Sequence, residues 1–336
     1  PPVAGFKELR ESIANKLNRD NNLEYDPSQI VVSTGAKQSI ANAVMSLIDP
    51  GDEVIVPIPY WVSYREIIKL AGGKAVFVKT SIENDFKVTP ADLDKALTQK
   101  SKLIIFSSPC NPTGSVYSRQ ELEQLASLFE KYPSLHIISD EIYELINFNS
   151  KHESIAQFES IKDRVILING VSKGFSMTGW RLGYLAATPE IAKATEKFQG
   201  QITSGASSIS QMAAKAALDA SPENVSEKDK MLEAFLSRRD LLIDGLKEIE
   251  GIKTNKPAGA FYIFPRIKNS GIKAEQFALK LLEEKGVLVL PGNDFGDQRE
   301  EFIRIACTLK LDDLKKAFDR IDDFTECLND IKAGDE

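Results

Sequence analysis

Residues 172–184 read SKGFSMTGWRLGY and place one lysine, Lys173, eight positions before one arginine, Arg181, with no other charge in the segment. Glycines at 174, 179 and 183 give this backbone unusual freedom. The segment follows the strand-like run Val165–Ile168. A lone lysine among small and apolar neighbours suits Schiff-base chemistry, because partial desolvation keeps its amine from being locked as a hydrated ammonium. The arginine offers a rigid fork that matches a phosphate. Two residues alone leave other chemistries open, so the rest of the chain has to discriminate.

Short apolar runs alternate with amphipathic stretches around this segment. Strands are expected at Ile30–Ser33, Glu53–Val56, Ala75–Val78, Leu103–Phe106, His136–Ser139, Val165–Ile168 and Gly183–Ala187. Helical periodicity covers Gly5–Leu17, Lys37–Leu47, Tyr64–Ala71, Ala91–Leu97 and Ser118–Lys131, the last opening on a capping box, Ser118-x-x-Glu121. Near-continuous apolar strands separated by helices imply a mostly parallel, seven-stranded sheet flanked by helices on both faces. Ligands on such sheets bind beyond the strand C-termini. After about residue 225 the texture changes. A long charged helix, Glu227–Lys247, precedes strands near Ala260–Phe264, Val287–Leu290 and Phe302–Ala306, with helices at Ala274–Lys285 and from Leu311. The expected organisation is a large α/β domain over residues 1–230 and a smaller α+β C-terminal domain over 231–336, hinged by that helix. No internal repeat or low-complexity linker interrupts it.

Composition excludes several function classes. A net charge of −7 without a basic run argues against a nucleic-acid surface. No apolar run approaches the roughly 20 residues needed to span a bilayer. Cys110, Cys307 and Cys327 are too far apart for a C-x-x-C metal site and odd in number for a disulfide framework. With His136 and His152 the only histidines, a histidine-based zinc site is not expected. A reducing cytoplasm is the expected compartment.

Five further motifs fall at or near expected strand ends. Thr34-Gly35-Ala36-Lys37-Gln38 opens a helix, whose free N–H groups form an anion site; an ordinary strand-to-helix turn looks the same. Pro59-Tyr60-Trp61 supplies an indole for stacking on a flat ring, or simply a core residue. Asn111-Pro112-Thr113-Gly114 reads either as a turn or as an amide aimed at a ligand. In Ser139-Asp140-Glu141-Ile142-Tyr143, a buried Asp140 needs a cationic or hydrogen-bonded partner, unless it merely caps a helix. Arg304, within Phe302-Ile303-Arg304-Ile305-Ala306, points inward to a ligand or outward to a surface ion pair.

The order of these motifs is more specific than any one of them. With PVAGFKELR, TGAKQ, PYWVSY, NPTG, SDEIY, SKGFSMTGWRLGY, GAFY and FIRIACT in register, the chain resembles the fold-type I, class I pyridoxal-phosphate aminotransferases, and among them the prokaryotic aspartate aminotransferase subgroup. The resemblance covers essentially the whole chain. It implies pyridoxal 5′-phosphate as cofactor, bound to Lys173 as a Schiff base. It further implies that Arg181 and the amides of Gly35, Ala36 and Lys37 hold the phosphate, and that Trp61 stacks on the ring. Asn111 and Tyr143 would bond the ring oxygen, while Asp140 pairs with the ring nitrogen. Arg304 would clamp the substrate α-carboxylate, and Lys37 would meet the distal carboxylate of a dicarboxylic substrate.

The activity so implied is transfer of the amino group of L-aspartate to 2-oxoglutarate, by a homodimer with active sites at the subunit interface. Alternatives are an aminotransferase for prephenate or aromatic amino acids, a C–S lyase on the same fold, and a cofactor-binding protein without catalysis. Family members carry roughly seventy residues before PVAG, among them a glycine near the substrate and a tyrosine that reaches the neighbouring subunit's phosphate. The chain is therefore expected to lack an N-terminal segment, whose absence would weaken cofactor binding.

Overall fold

The computed structural model describes residues 1–149, 151–220, 225–267, 271–296 and 299–335. Seven strands form one sheet: β1 (Ile30–Ser33), β2 (Glu53–Ile58), β3 (Lys74–Lys79), β4 (Ser101–Ser107), β5 (His136–Asp140), β6 (Val165–Gly170) and β7 (Gly183–Ala186). Their spatial order is β1-β7-β6-β5-β4-β2-β3. The central pairs are parallel, and β7 alone runs against its neighbours, antiparallel to both β6 and β1.

The strands are apolar because the sheet is covered on both faces. Within β4, Leu103 and Ile105 join the core on one face while Ile104 and Phe106 join the core on the other. β6 divides in the same way, with Ile166 and Ile168 opposite Val165 and Leu167. One face is packed by α1 (Lys7–Asn21) and α5 (Arg119–Phe129), through residues such as Ile13, Leu17, Leu125 and Phe129. The other is packed by α2 (Ala36–Leu47), α3 (Ser63–Leu70) and α6 (Pro189–Ile202), through Ile40, Val44, Ile68 and Ile191. The edge strand β3 is more exposed and carries a lysine at each end, which discourages pairing with a foreign strand. Ser118 and Glu121 close the expected capping box at the start of α5.

Two helices after β7 escape a reading of hydrophobic periodicity, α6 and α7 (Ser208–Leu218). α7 buries Ser210, Gln211, Ala214 and Leu218, a mostly small and polar set that gives little apolar signal. A short helix, α4 (Pro90–Ala96), lies between β3 and β4, and beyond α7 come α8 (Val225–Glu248), α9 (Ala274–Lys285) and α10 (Leu311–Asp335). They surround a three-stranded antiparallel sheet of β8 (Tyr262–Ile263), β10 (Ile303–Ala306) and β9 (Leu290–Pro291), with β10 central. Leu242, Leu246, Phe277, Leu281, Ile303 and Phe324 belong to its separate core.

Candidate active site

The C-terminal ends of β4, β5 and β6, the turn after β1 and the loop after β2 deliver side chains to one cavity of about 310 Å³. Of the residues expected there, all but Gly35 line it: Ala36, Lys37, Trp61, Asn111, Asp140, Tyr143, Lys173, Arg181 and Arg304. The second sheet contributes Arg304 and Tyr262; Ile303 and Ile305 are buried, and alternation turns Arg304 the other way. It forms no ion pair with a described carboxylate, so the surface-bridge reading does not hold for it.

Lys173 is half-buried, with Nζ 5.8 Å from the Tyr143 ring centroid and 5.7 Å from that of Phe261. Burial, followed by the Arg181 and Arg304 charges, pushes its ammonium below the ordinary lysine range, against the pull of Asp140. The local fold explains how the lysine is held. A Cβ on Gly174 would lie 2.6 Å from Leu145 Cδ1, so only glycine lets the chain pass there.

Arg181 packs on the turn that opens α2. Gly35 has φ +87°, and a Cβ there would stand 2.5 Å from Arg181 Nη2. The guanidinium also donates from Nη1 to the Thr178 carbonyl at 3.0 Å. The structure departs from expectation at one amide: the Gly35 N–H already donates to Ser33 O at 2.8 Å. The N–H groups of Ala36 and Lys37, in the first turn of α2, remain for an anion. Gly35 contributes by what it lacks, a side chain that would displace Arg181.

Asp140 ends β5 and is 4% exposed. Its Oδ2 accepts a 2.6 Å bond from the Tyr64 hydroxyl, and Oδ1 a long 3.3 Å bond from the Ile142 N–H. No helix begins at Asp140, so a capping role does not explain it. Burial raises its pKa to about 6, with Tyr64 the foremost opposing influence. The Tyr143 hydroxyl lies 3.1 Å from that of Tyr262. Asn111 Oδ1 accepts from Arg304 Nη1 at 2.9 Å. The guanidinium sits 4.3 Å from the Tyr262 ring centroid and 4.8 Å from that of Phe295. Lys37 Nζ stands 4.8 Å from the Trp61 ring.

Tyr64 and Tyr262 were legible only as letters of PYWVSY and GAFY. Tyr64 lies three residues after Trp61, across the turn that leads into α3, and their rings meet edge to face at 5.6 Å.

Directly behind Asp140 lies a buried polar network. Glu141 accepts from Ser139 Oγ at 2.8 Å and Ser154 Oγ at 2.6 Å, and its other oxygen is 2.8 Å from His152 Nε2. Glu144 is paired with Lys16 and accepts from Asn21 Nδ2 at 2.8 Å. These bonds fix the turn carrying Asp140 and Tyr143 against α1.

The donor set suits a phosphorylated, protonated ring with an aldehyde. Two anion-ready amides and a guanidinium stand at one end and a buried carboxylate behind. A depressed lysine faces the cavity, and Arg304 Nε is buried without a hydrogen-bond partner among the described residues. Comparison with known proteins agrees. The family described as "Aminotransferase class I and II" matches residues 1–321. The bifunctional aspartate aminotransferase and glutamate/aspartate-prephenate aminotransferase of Petunia hybrida is 45% identical over 331 residues, which are 95% of this chain and 69% of that protein. The aspartate aminotransferase of Bacillus subtilis is 44% identical over 332 residues, 97% of this chain and 83% of that one. The crystal structure of the aspartate aminotransferase from Rhizobium meliloti superposes with a TM-score of 0.92 at 36% identity, covering 97% of this chain and 83% of that one. Matches of this extent carry the aminotransferase reaction and its cofactor, pyridoxal phosphate. The chain belongs to the class I and II aminotransferases.

Proposed function

We propose that the chain transfers the amino group of L-aspartate to 2-oxoglutarate, giving oxaloacetate and L-glutamate. The observation that carries this is the depressed, half-buried Lys173 amine in one cavity with Arg304, whose Nε is buried and unpartnered among the described residues. Bound pyridoxal phosphate supplies a carbonyl for the substrate amine and a protonated ring that draws electrons from Cα. The protein's residues do the rest. Arg304, steadied by Asn111, receives the α-carboxylate through two N–H bonds. Lys173, once its amine is free and neutral, takes the Cα proton. Asp140 would pair with the ring nitrogen, Trp61 would cover the ring, and Tyr143 and Asn111 would bond its oxygen. Arg181 and the Ala36 and Lys37 amides would hold the phosphate. Lys37, beside Trp61, is suited to a distal carboxylate, which favours aspartate.

The working unit is proposed to be a homodimer with active sites at the subunit interface. Ile202, Ile209 and Met212 are exposed apolar residues of α6 and α7 that a second copy would cover. The division into 1–230 and 231–336 is proposed as well, with its boundary inside α8. The cores on the seven-stranded sheet end at Leu218, while that of the small sheet begins at Leu242. Three free cysteines suit a cytoplasmic setting.

A coupled assay with 2-oxoglutarate as acceptor tests the substrate assignment. Aspartate with 2-oxoglutarate should give a higher kcat/KM than phenylalanine with 2-oxoglutarate, or than glutamate with prephenate as the acceptor. The Petunia relative's name motivates the second reading, a prephenate or aromatic aminotransferase, which a reversed preference would establish. Release of pyruvate and ammonia from cysteine would instead identify a C–S lyase.

A further inference from the structure

We infer that Tyr64 is a positioning residue for Asp140, its phenol holding the carboxylate ionised and turned so that one oxygen faces the cavity. This rests on the proposed role of Asp140 opposite the ring nitrogen.

Three relationships support it. The two carboxylate oxygens are not equivalent. Oδ2 takes the short Tyr64 bond of 2.6 Å, while Oδ1 has only the 3.3 Å Ile142 N–H among the described residues. Fixing Oδ2 stops rotation about the carboxylate's bond and leaves Oδ1 with acceptor capacity. Second, Tyr64 cannot exchange roles with its partner. It is 1% exposed, and burial followed by the Asp140 charge pushes its phenol well above the ordinary range, so the proton stays on tyrosine. A permanent neutral donor at this distance favours the charged carboxylate.

Third, Tyr64 has the strongest opposing influence where burial works hardest. Burial drives Asp140 toward the neutral acid, and Tyr64 leads the groups that resist it. The other titratable groups facing Asp140 are Glu141, which also disfavours its charge, Lys173, which favours it, and the un-ionised Cys110 and Tyr143. Tyr64 is also tied to the ring-stacking residue, since its N–H donates to the Trp61 carbonyl at 3.0 Å. The turn entering α3 thus ties the indole to the residue that holds the carboxylate. A phenylalanine would fill the same volume in this core, so packing alone does not require the hydroxyl.

The test is Tyr64→Phe in the full chain, free of cofactor and reconstituted. Infrared spectra of protein labelled with ¹³C-aspartate, with Asp140→Asn spectra subtracted, report the Asp140 acid band as pH is varied. Loss of a bond to a charged group should raise its midpoint by about one to two pH units. On the reconstituted enzyme, where the protonated ring would also hold the carboxylate charged, cofactor affinity should fall, with KM for the amino acid little changed. A merely structural hydroxyl would lower Tm and leave the midpoint where it was, which overturns the inference. Should Tyr64→Phe fail to fold, the otherwise unaltered chain labelled with 3-fluorotyrosine decides. One of its eight tyrosine ¹⁹F signals must titrate with Asp140 and lose that response in Asp140→Asn. If none does, the inference is wrong. Asp140→Ala separates the two levels: undiminished cofactor affinity there removes the role of Asp140 itself, whereas an unmoved midpoint in Tyr64→Phe removes only that of Tyr64.

Discussion

Arg304 Nη1 donates a 2.9 Å hydrogen bond to Asn111 Oδ1, joining β10 of the small sheet to the loop after β4 across 193 positions of sequence. The bond preorients a guanidinium held between the Tyr262 and Phe295 rings. Lysine cannot reproduce either the planar fork or the stacking. Arg304→Lys is expected to lower kcat/KM by about a hundredfold, roughly 3 kcal/mol. Asn111→Ala, which leaves the fork but removes its support, should cost about tenfold. Steady-state kinetics at saturating cofactor check both, and equal activity of Arg304→Lys and the parent would reject the carboxylate clamp.

Gly35 and Arg181 test the phosphate end. Gly35→Ala asks a side chain to adopt φ +87° and to stand 2.5 Å from Arg181 Nη2. The guanidinium must move or the turn must open. Cofactor affinity should fall about tenfold or more, with Tm of the cofactor-free chain changed by less than that of the loaded one. Fluorescence titration with pyridoxal phosphate measures it, and an unchanged dissociation constant would remove Arg181 from the phosphate site.

Strand ends were the legible part of this molecule. Trp61, Asn111, Asp140 and Lys173 each follow an apolar run short enough to be a buried strand, and the structure brings all four to one cavity. The direction of β7 was less plain. Its antiparallel course follows from the segment between Gly170 and Gly183, which contains no α-helix to serve as a parallel crossover. Its other pairing, with β1, joins residues far apart in sequence and leaves no local mark. Tyr64 and Tyr262 were missed for a related reason. Their roles depend on partners, Asp140 and Tyr143, that are distant in sequence.

Asp140 gives a pH dependence whose sign is opposite to that of an ordinary paired carboxylate. Its folded value, about 6, lies above the usual 3.8, because burial favours the proton-bound form. In the cofactor-free chain its contribution to stability is therefore present at low pH and lost as pH rises through about 6. The difference is on the order of 3 kcal/mol between the two limits. Cofactor binding, which needs the carboxylate, should strengthen over the same interval. Thermal scans from pH 4 to 7 of the parent chain against Asp140→Asn isolate this group. A difference in Tm independent of pH would contradict it.

Lys173→Ala should abolish both the absorbance of the covalently bound cofactor and transamination, since the amine is at once the anchoring group and the proton carrier. Cofactor should still enter the cavity, held by Arg181 and Asp140, so binding and chemistry separate in this variant. Persistent transamination would refute the assignment of the site.

Lys16 and Glu144 form an ion pair whose side chains are 2% and 5% exposed, and Lys16 Nζ also donates to Asn21 Oδ1 at 2.8 Å. Burial works against the Glu144 charge, but Lys16 and then His152 outweigh it and hold the carboxyl below its ordinary range. Removing the lysine leaves a buried carboxylate with weaker compensation. Lys16→Met should destabilise the chain by about 3–5 kcal/mol, and the double variant Lys16→Met, Glu144→Gln by less than that, because the uncompensated charge is gone. Glu144 stands one residue after Tyr143 and four after Asp140, so the single variant should also loosen cofactor binding. Denaturant unfolding of the three chains, with cofactor titrations beside it, gives both quantities. A double variant less stable than Lys16→Met alone would mean that hydrogen bonding by Glu144, rather than its paired charge, anchors the turn to α1.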